Sequence, residues 1–164
     1  MSSRTGRISV ALLAVGAIAL AGCGGSSSSS SSNSAASSGT GTGAGLNQDV
    51  QTVNKAVQSY KAGTHGVATN GNDPASWDQL SQAAKQAADS IKGLTPPASL
   101  QSAQQALVSS LSDVSDKASR VATDLRNKDA SALQADLAQA KAASDSYVTA
   151  GATFTQAARA AAGG

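Results

Sequence analysis

The chain has 164 residues, enough for one domain, with 12 basic and 10 acidic side chains and only 2% aromatic residues. Two of the basic residues, Arg4 and Arg7, lie at the N-terminus, and the rest of the chain carries both charges in equal number. A neutral chain lacks the positive surface that nucleic-acid binding requires, so this composition excludes nucleic acid as a partner.

Residues 1–22 have the pattern of a secretory signal peptide. Arg4 and Arg7 form a short basic region, and an apolar run of about 14 residues follows from Ile8 to Ala21. This run is shorter than the roughly 20 residues that a membrane-spanning helix needs. The pattern therefore predicts a leader that is removed, rather than a retained anchor or a chance apolar start.

The leader ends in Leu20, Ala21, Gly22 and Cys23, two small residues placed directly before a cysteine. This order closely resembles the lipobox of bacterial lipoprotein signal peptides. The resemblance covers the first 23 residues, and it implies that the Cys23 thiol is alkylated with diacylglycerol and that cleavage falls just before it. Two acyl chains give stable membrane anchoring, because one chain holds a protein only marginally.

Cys23 is the single cysteine of the chain. The sequence therefore offers no disulfide, no thiolate metal site and no second thiol for catalysis. An extracytoplasmic location on the bacterial cell membrane is compatible with this, because a thioether uses up the one thiol.

The segment 23–45 follows as a tether of Ser, Gly, Thr and Ala, including an unbroken serine run from Ser26 to Ser32. Such a composition cannot bury enough apolar surface to offset the entropy of ordering, so we expect it to be disordered. Its span as a random coil is about 25 Å. A bare spacer is one interpretation, and an O-glycosylated one is the other.

The remaining residues, 46–164, show helical periodicity with four segments. The first runs from Leu46 through Tyr60, and Thr64 and Val67 keep its phase past Gly63, so the helix either continues or breaks at Gly63 or Gly66. Asp73 is a predicted N-cap and Pro74 a first helical residue for the second segment. Gly93 is predicted to end that segment.

Thr95 is the predicted cap of the third helix, with Pro96 and Pro97 in its first turn. Three acid-before-base pairs are predicted on its polar face, Asp113 with Lys117, Asp116 with Arg120 and Asp124 with Lys128. Asp129 is the predicted cap of the fourth helix. Short links between four helices predict an all-α, antiparallel up-down four-helix bundle with a thin, alanine-rich core.

The predicted helix lengths place two sets of residues. Tyr60, Trp77 and Tyr147 fall at similar heights and form an aromatic layer, which is either ordinary core or a candidate ligand layer. The third and fourth helices, about 45 Å each, exceed the second, about 30 Å. A candidate partner surface therefore lies at the protruding end, unless the segment 61–73 folds over it; its residues are Val121, Leu125, Leu133 and Leu137.

The sequence offers no catalytic constellation. His65 is the only histidine, and a di-iron bundle needs Glu-x-x-His motifs, which a chain without glutamate cannot supply. The serines are too numerous for their positions to indicate a triad, and the glycine-rich stretches lie in the tether rather than between a strand and a helix. We therefore expect no enzyme activity, no cofactor and no metal.

The arrangement of lipobox, Ser/Gly tether and alanine-rich helices resembles small uncharacterised lipoproteins of actinobacteria, as does Leu94-Thr95-Pro96-Pro97 followed by spaced leucines. The resemblance implies no activity. Two functions remain open: a binding or scaffolding module for an envelope protein or polymer, or a lipoprotein that holds a small apolar ligand between its helices. A thin core leaves little room for a ligand pocket, which favours the first.

Overall fold

The computed structural model describes residues 43–163, and all of its elements are helices. The all-α prediction is confirmed over this range. The predicted signal peptide 1–22, the lipobox Leu20 to Cys23 and the tether up to residue 42 lie outside the described residues. The helices are α1 (Gly43–Thr69), α2 (Pro74–Lys92), α3 (Ala98–Asn127) and α4 (Ala130–Gly163).

The helices form the predicted antiparallel up-down bundle. Consecutive helices pack against each other most extensively, and α4 returns to α1 to close the ring through fewer close backbone approaches. The closing contact pairs Tyr60 of α1 with Ser144 and Tyr147 of α4. Because consecutive helices run in opposite directions, the N-terminus of α1 lies at the same end of the bundle as the α2–α3 corner.

The first helix is longer than the segment predicted from the apolar periodicity of the sequence. It begins at Gly43, three residues inside the predicted tether, and runs without a break through Gly63 and Gly66 to Thr69. Gly63 is buried at the contact with α2, where a Cβ would stand 3.1 Å from the Leu80 Cα. The glycine therefore permits close helix packing and does not end the helix.

Two of the predicted caps are confirmed. The Asp73 carboxylate accepts from the Ala75 backbone N–H at 3.0 Å, with Pro74 in the first turn. The Asp129 carboxylate accepts from the N–H groups of Ser131 and Ala132 at 3.1 and 3.0 Å. Each cap satisfies N–H groups that have no partner within the helix.

The corner between α2 and α3 differs from the prediction in its second half. Gly93 ends α2 as predicted, although with a right-handed φ of −74°. Thr95 does not cap α3; Pro97 is the residue before the helix, with ψ 152° and no side-chain cap. The prediction was wrong because Pro96 precedes another proline and is therefore driven out of the helical region, so it cannot lie in the first turn of α3.

The three predicted ion pairs on α3 do not form. The ion pairs in the described range are Lys85–Asp89, Lys141–Asp145 and Arg126–Asp78, the last of which joins α3 to α2. Lys117 instead donates to the Gln139 side-chain oxygen on α4 at 2.8 Å. The prediction considered one helix alone, whereas Lys117 finds its partner on a neighbouring helix.

The core is one cluster that runs the length of the bundle. Its α2 side is built from Trp77, Leu80, Ala84, Ala87, Ala88 and Ile91. The large side chains that are almost completely buried lie mainly on the other helices; they are Tyr60, Tyr147, Ile91, Leu100, Leu107, Leu111 and Val121. The three buried alanines of α2 permit close approach of its neighbours.

Candidate functional site

The most distinctive buried group is a hydroxyl cluster between α1 and α4. The rings of Tyr60 and Tyr147 lie 4.5 Å apart, centroid to centroid, and are tilted by 58°. The Tyr60 hydroxyl forms a hydrogen bond with the Ser144 hydroxyl, with 3.3 Å between the oxygens. Tyr60 and Tyr147 are 0% and 1% exposed, and Ser144 is 3% exposed. We call Tyr60, Ser144 and Tyr147 the hydroxyl cluster.

The Tyr147 hydroxyl has no hydrogen-bond partner among the described residues. Burial raises the pKa of Tyr147 well above its usual value, and the neighbouring Tyr60 raises it further. Burial also raises the pKa of Tyr60, against the opposing effect of the Ser144 hydrogen bond. Both phenols therefore remain neutral in the physiological pH range, and Tyr147 offers a donor without an acceptor.

The aromatic layer predicted from helix lengths has two members rather than three. Trp77 does not join the tyrosine pair. It is buried near the α1–α2 turn, where its indole N–H donates to the Gly71 carbonyl at 2.8 Å. The prediction counted residues from the α2–α3 corner, which cannot set the height of α1 against α2. The close contact of Gly63 with Leu80 sets that height.

The candidate partner surface at the end of the α3–α4 hairpin is not an exposed patch. Val121 is fully buried and Leu133 is 9% exposed, while Leu125 and Leu137 are partly buried against the core. The α3–α4 hairpin is longer than α2, as predicted, but α1 continues to Thr69 and buries Val67 in the same core cluster. The competing hypothesis, in which the segment 61–73 covers this end, agrees with the structure.

A void of about 10 Å³ lies in the α1–α4 seam, lined by residues of α1, α3 and α4 that include Val57, Leu107 and Phe154. A void of this size holds one water molecule at most, whereas ligand pockets usually measure several hundred Å³. The closed bundle therefore has no room in this void for a small organic molecule.

Two open grooves flank α3, and both include Ser109. One, of about 640 Å³, lies at the α2–α3 corner and is lined by Lys92, Leu94 and Gln104 among others. The other, of about 780 Å³, lies between α3 and α4 and is lined by Ser, Thr and Ala side chains with Asp113 and Asp145. Their linings mix polar and apolar side chains, and both grooves are open, which suits an extended partner better than an enclosed small molecule.

Asp124 lies near the α3–α4 turn under the influence of two other carboxylates, a feature that the sequence analysis did not identify. Partial burial raises the pKa of Asp124, and the neighbouring Asp136 and Asp129 raise it further. One oxygen of Asp124 is buried without a hydrogen-bond partner. The expected Asp124–Lys128 pair does not form. Lys128, with a left-handed φ of 56°, instead ends α3.

The described residues bring no metal-binding constellation together. His65 is exposed on α1, and the range 43–163 contains no group of three or more His, Cys, Asp or Glu side chains that could hold a metal ion. Within the same range, none of the helices combines the length and the hydrophobicity needed to cross a membrane.

Comparison with family models, curated proteins and solved structures gives no match to this chain. The functional conclusions therefore rest on the residues of this chain and on their physical chemistry.

Proposed function

We propose that this chain is a bacterial lipoprotein, anchored through Cys23 to the extracytoplasmic side of the cell membrane. The observation that supports it is the order of features in the first 23 residues: a basic start, an apolar run and Leu20-Ala21-Gly22-Cys23. A diacylglyceryl Cys23 supplies two acyl chains, enough for stable anchoring. The segment up to α1 then links the anchor to the helical bundle.

The helical domain in this proposal is a binding or scaffolding module without enzyme activity. The support is threefold: the bundle is closed, the seam void is too small for a substrate, and two open grooves lie beside α3. A partner of matching polarity, an envelope protein or polymer, would contact the α3 face. Serine, glutamine and threonine side chains there supply hydrogen-bonding groups.

Metabolic labelling tests the anchor. The full chain is expressed in a bacterial host with an alkyne analogue of palmitate, beside a Cys23→Ser variant. We expect label and membrane fractionation for the wild-type chain, and mass spectrometry should find the modification on a peptide that begins at Cys23. Label on the Cys23→Ser variant, or an unmodified Cys23 in the wild-type chain, rejects the anchor.

Site-specific photo-crosslinking tests the scaffold. A photoreactive amino acid replaces Ser109, which both grooves share, and in a control it replaces Ser59, an exposed serine on α1. We expect a discrete crosslinked species in cells from position 109 and none from position 59. Equal crosslinking at both positions, or none at either, argues against a partner on the α3 face.

A second candidate function is a lipoprotein that holds a small apolar ligand between its helices. The observation that favours it is the buried Tyr147 hydroxyl, which lacks an acceptor. The small void opposes it, because a ligand requires the seam to widen. We therefore rank ligand binding second, because the bundle is closed.

A further inference from the structure

The α1–α4 seam differs from the other three helix contacts of the bundle. Consecutive helices approach closely through small residues, as where Gly63 meets Leu80, whereas α1 and α4 have few close backbone approaches. Large side chains fill this seam instead: Tyr60, Tyr147 and Phe154 are all buried in it. The distance between helix axes depends on the size of the side chains at the contact, so the seam is held open by aromatic rings.

The seam also contains three buried hydroxyl groups, which apolar packing alone does not require. A phenylalanine would fill the volume of Tyr147 without leaving a hydroxyl unpaired, and an unpaired buried donor is unfavourable. The Tyr60–Ser144 hydrogen bond, at 3.3 Å, is longer than the usual distance between hydroxyl oxygens. The cluster therefore holds a donor in Tyr147 and a weakly held hydroxyl pair beside it.

The surroundings of the cluster define the rest of the site. The void about one helical turn away, at Gly151, has apolar walls from Val57, Leu107 and Phe154. The helices α1 and α4 are each joined to the other helices by one short turn, at 70–73 for α1, and they meet across the seam with few close backbone approaches. Outward movement of α1 would join this void to the hydroxyl cluster.

We propose that the α1–α4 seam is a binding site for one apolar chain that carries a neutral ester group, and that α1 moves outward to admit it. The ester carbonyl accepts a hydrogen bond from the Tyr147 hydroxyl, and the chain extends past Gly151 toward Phe154. A neutral acceptor fits because the cluster is buried and consists of uncharged hydroxyl side chains, and burying an unpaired charge is unfavourable. The proposal builds on the second candidate function and is independent of the anchor.

Binding is measured by NMR on the full chain with Cys23→Ser, with methyl octanoate as the ester and octane as a chain without an acceptor. We expect shift changes at Val57 and Ala150 and tighter binding of the ester. Tyr147→Phe should weaken ester binding about fivefold, the value of one hydrogen bond, and leave octane binding unchanged. The Tyr147→Phe substitution should not lower the urea midpoint of the free protein, because the hydroxyl that it removes has no hydrogen-bond partner.

Ser115→Ala is the matched control, because it removes a buried hydroxyl outside the seam, in the α2–α3 contact, where it donates to the Ser81 carbonyl at 2.9 Å. It should lower the urea midpoint and leave the ester affinity unchanged. The proposal is overturned if the ester does not bind, if Tyr147→Phe binds it as tightly as the wild-type chain, or if the shifts fall in the α2–α3 contact. It is also overturned if Tyr147→Phe destabilises the free protein, since the hydroxyl would then already be satisfied. None of these outcomes affects the palmitate-labelling result.

Discussion

Gly63 of α1 lies so close to Leu80 of α2 that a Cβ on the glycine would stand 3.1 Å from the Leu80 Cα. The atom it would meet belongs to the backbone, which cannot rotate away. This contact sets the height of α1 against α2. It therefore also decides which side chains of α1 meet α4.

Gly63→Ala should destabilise the bundle. The added methyl must push α1 away from α2, and overpacking of this kind costs about 1–3 kcal/mol, more than the gain in helix propensity. Gly66→Ala is the matched control, since its nearest neighbour would be a flexible glutamine oxygen at 3.7 Å. That change should stabilise by about 0.5–1 kcal/mol. Urea denaturation measures the free energy of unfolding of both variants, which should change in opposite directions. Equal changes would contradict the packing role of Gly63.

Gln104→Ala should loosen the α2–α3 corner. The Gln104 side chain donates to the carbonyls of Ile91 and Leu94 at 2.7 and 2.9 Å, which ties the end of α2 to α3. Loss of these bonds should cost about 1–2 kcal/mol. Gln105→Ala, at an exposed neighbouring position, should change stability by less than about 0.5 kcal/mol. If the two variants unfold at the same urea concentration, the corner does not depend on Gln104.

Leu133→Asp should destabilise by about 3 kcal/mol or more, because it places an unpaired charge in the core. Gln134→Asp, at the exposed position beside it, should have little effect. Thermal unfolding distinguishes the two. A Leu133→Asp protein as stable as wild type would restore the idea of an exposed partner surface at this end.

Asp124→Asn should change the pH dependence of stability. The pKa of Asp124 is raised in the folded chain above its ordinary value of 3.8, so the folded state holds a proton that the unfolded state has lost. The free energy of unfolding of the wild-type protein should therefore fall as pH rises from the ordinary pKa of Asp124 to its raised pKa in the folded chain. The asparagine variant should not show that fall. The two curves should converge at low pH and separate above the raised pKa, with the variant more stable.

The difference in stability between the wild-type protein and Asp124→Asn is measured as the difference between their urea midpoints, from about pH 3 to about pH 7. Asp116→Asn, on an exposed carboxylate of the same helix, serves as the control. If Asp124→Asn were the less stable protein near neutral pH, the carboxylate would have a favourable partner and the direction of the pKa change would be wrong.

The candidate site was predicted in part. Counting residues along the helices brought Tyr60 and Tyr147 to one level, because both lie on long helices with clear periodicity. Trp77 was placed with them because the count fixed no height between α1 and α2. The Ser144 hydrogen bond and the unpaired Tyr147 hydroxyl depend on side-chain rotation at a contact between distant segments, which periodicity does not encode.

The sequence by itself determined the number of helices, the antiparallel order, and the caps at Asp73 and Asp129. These are local properties, since apolar spacing and cap chemistry act within one or two turns. Only the tertiary structure decided that α1 runs through Gly63, that Val121 and Leu133 are buried, and that Arg126 pairs with Asp78. Each of these depends on how far one helix slides along another, and that is fixed by packing between residues far apart in the chain.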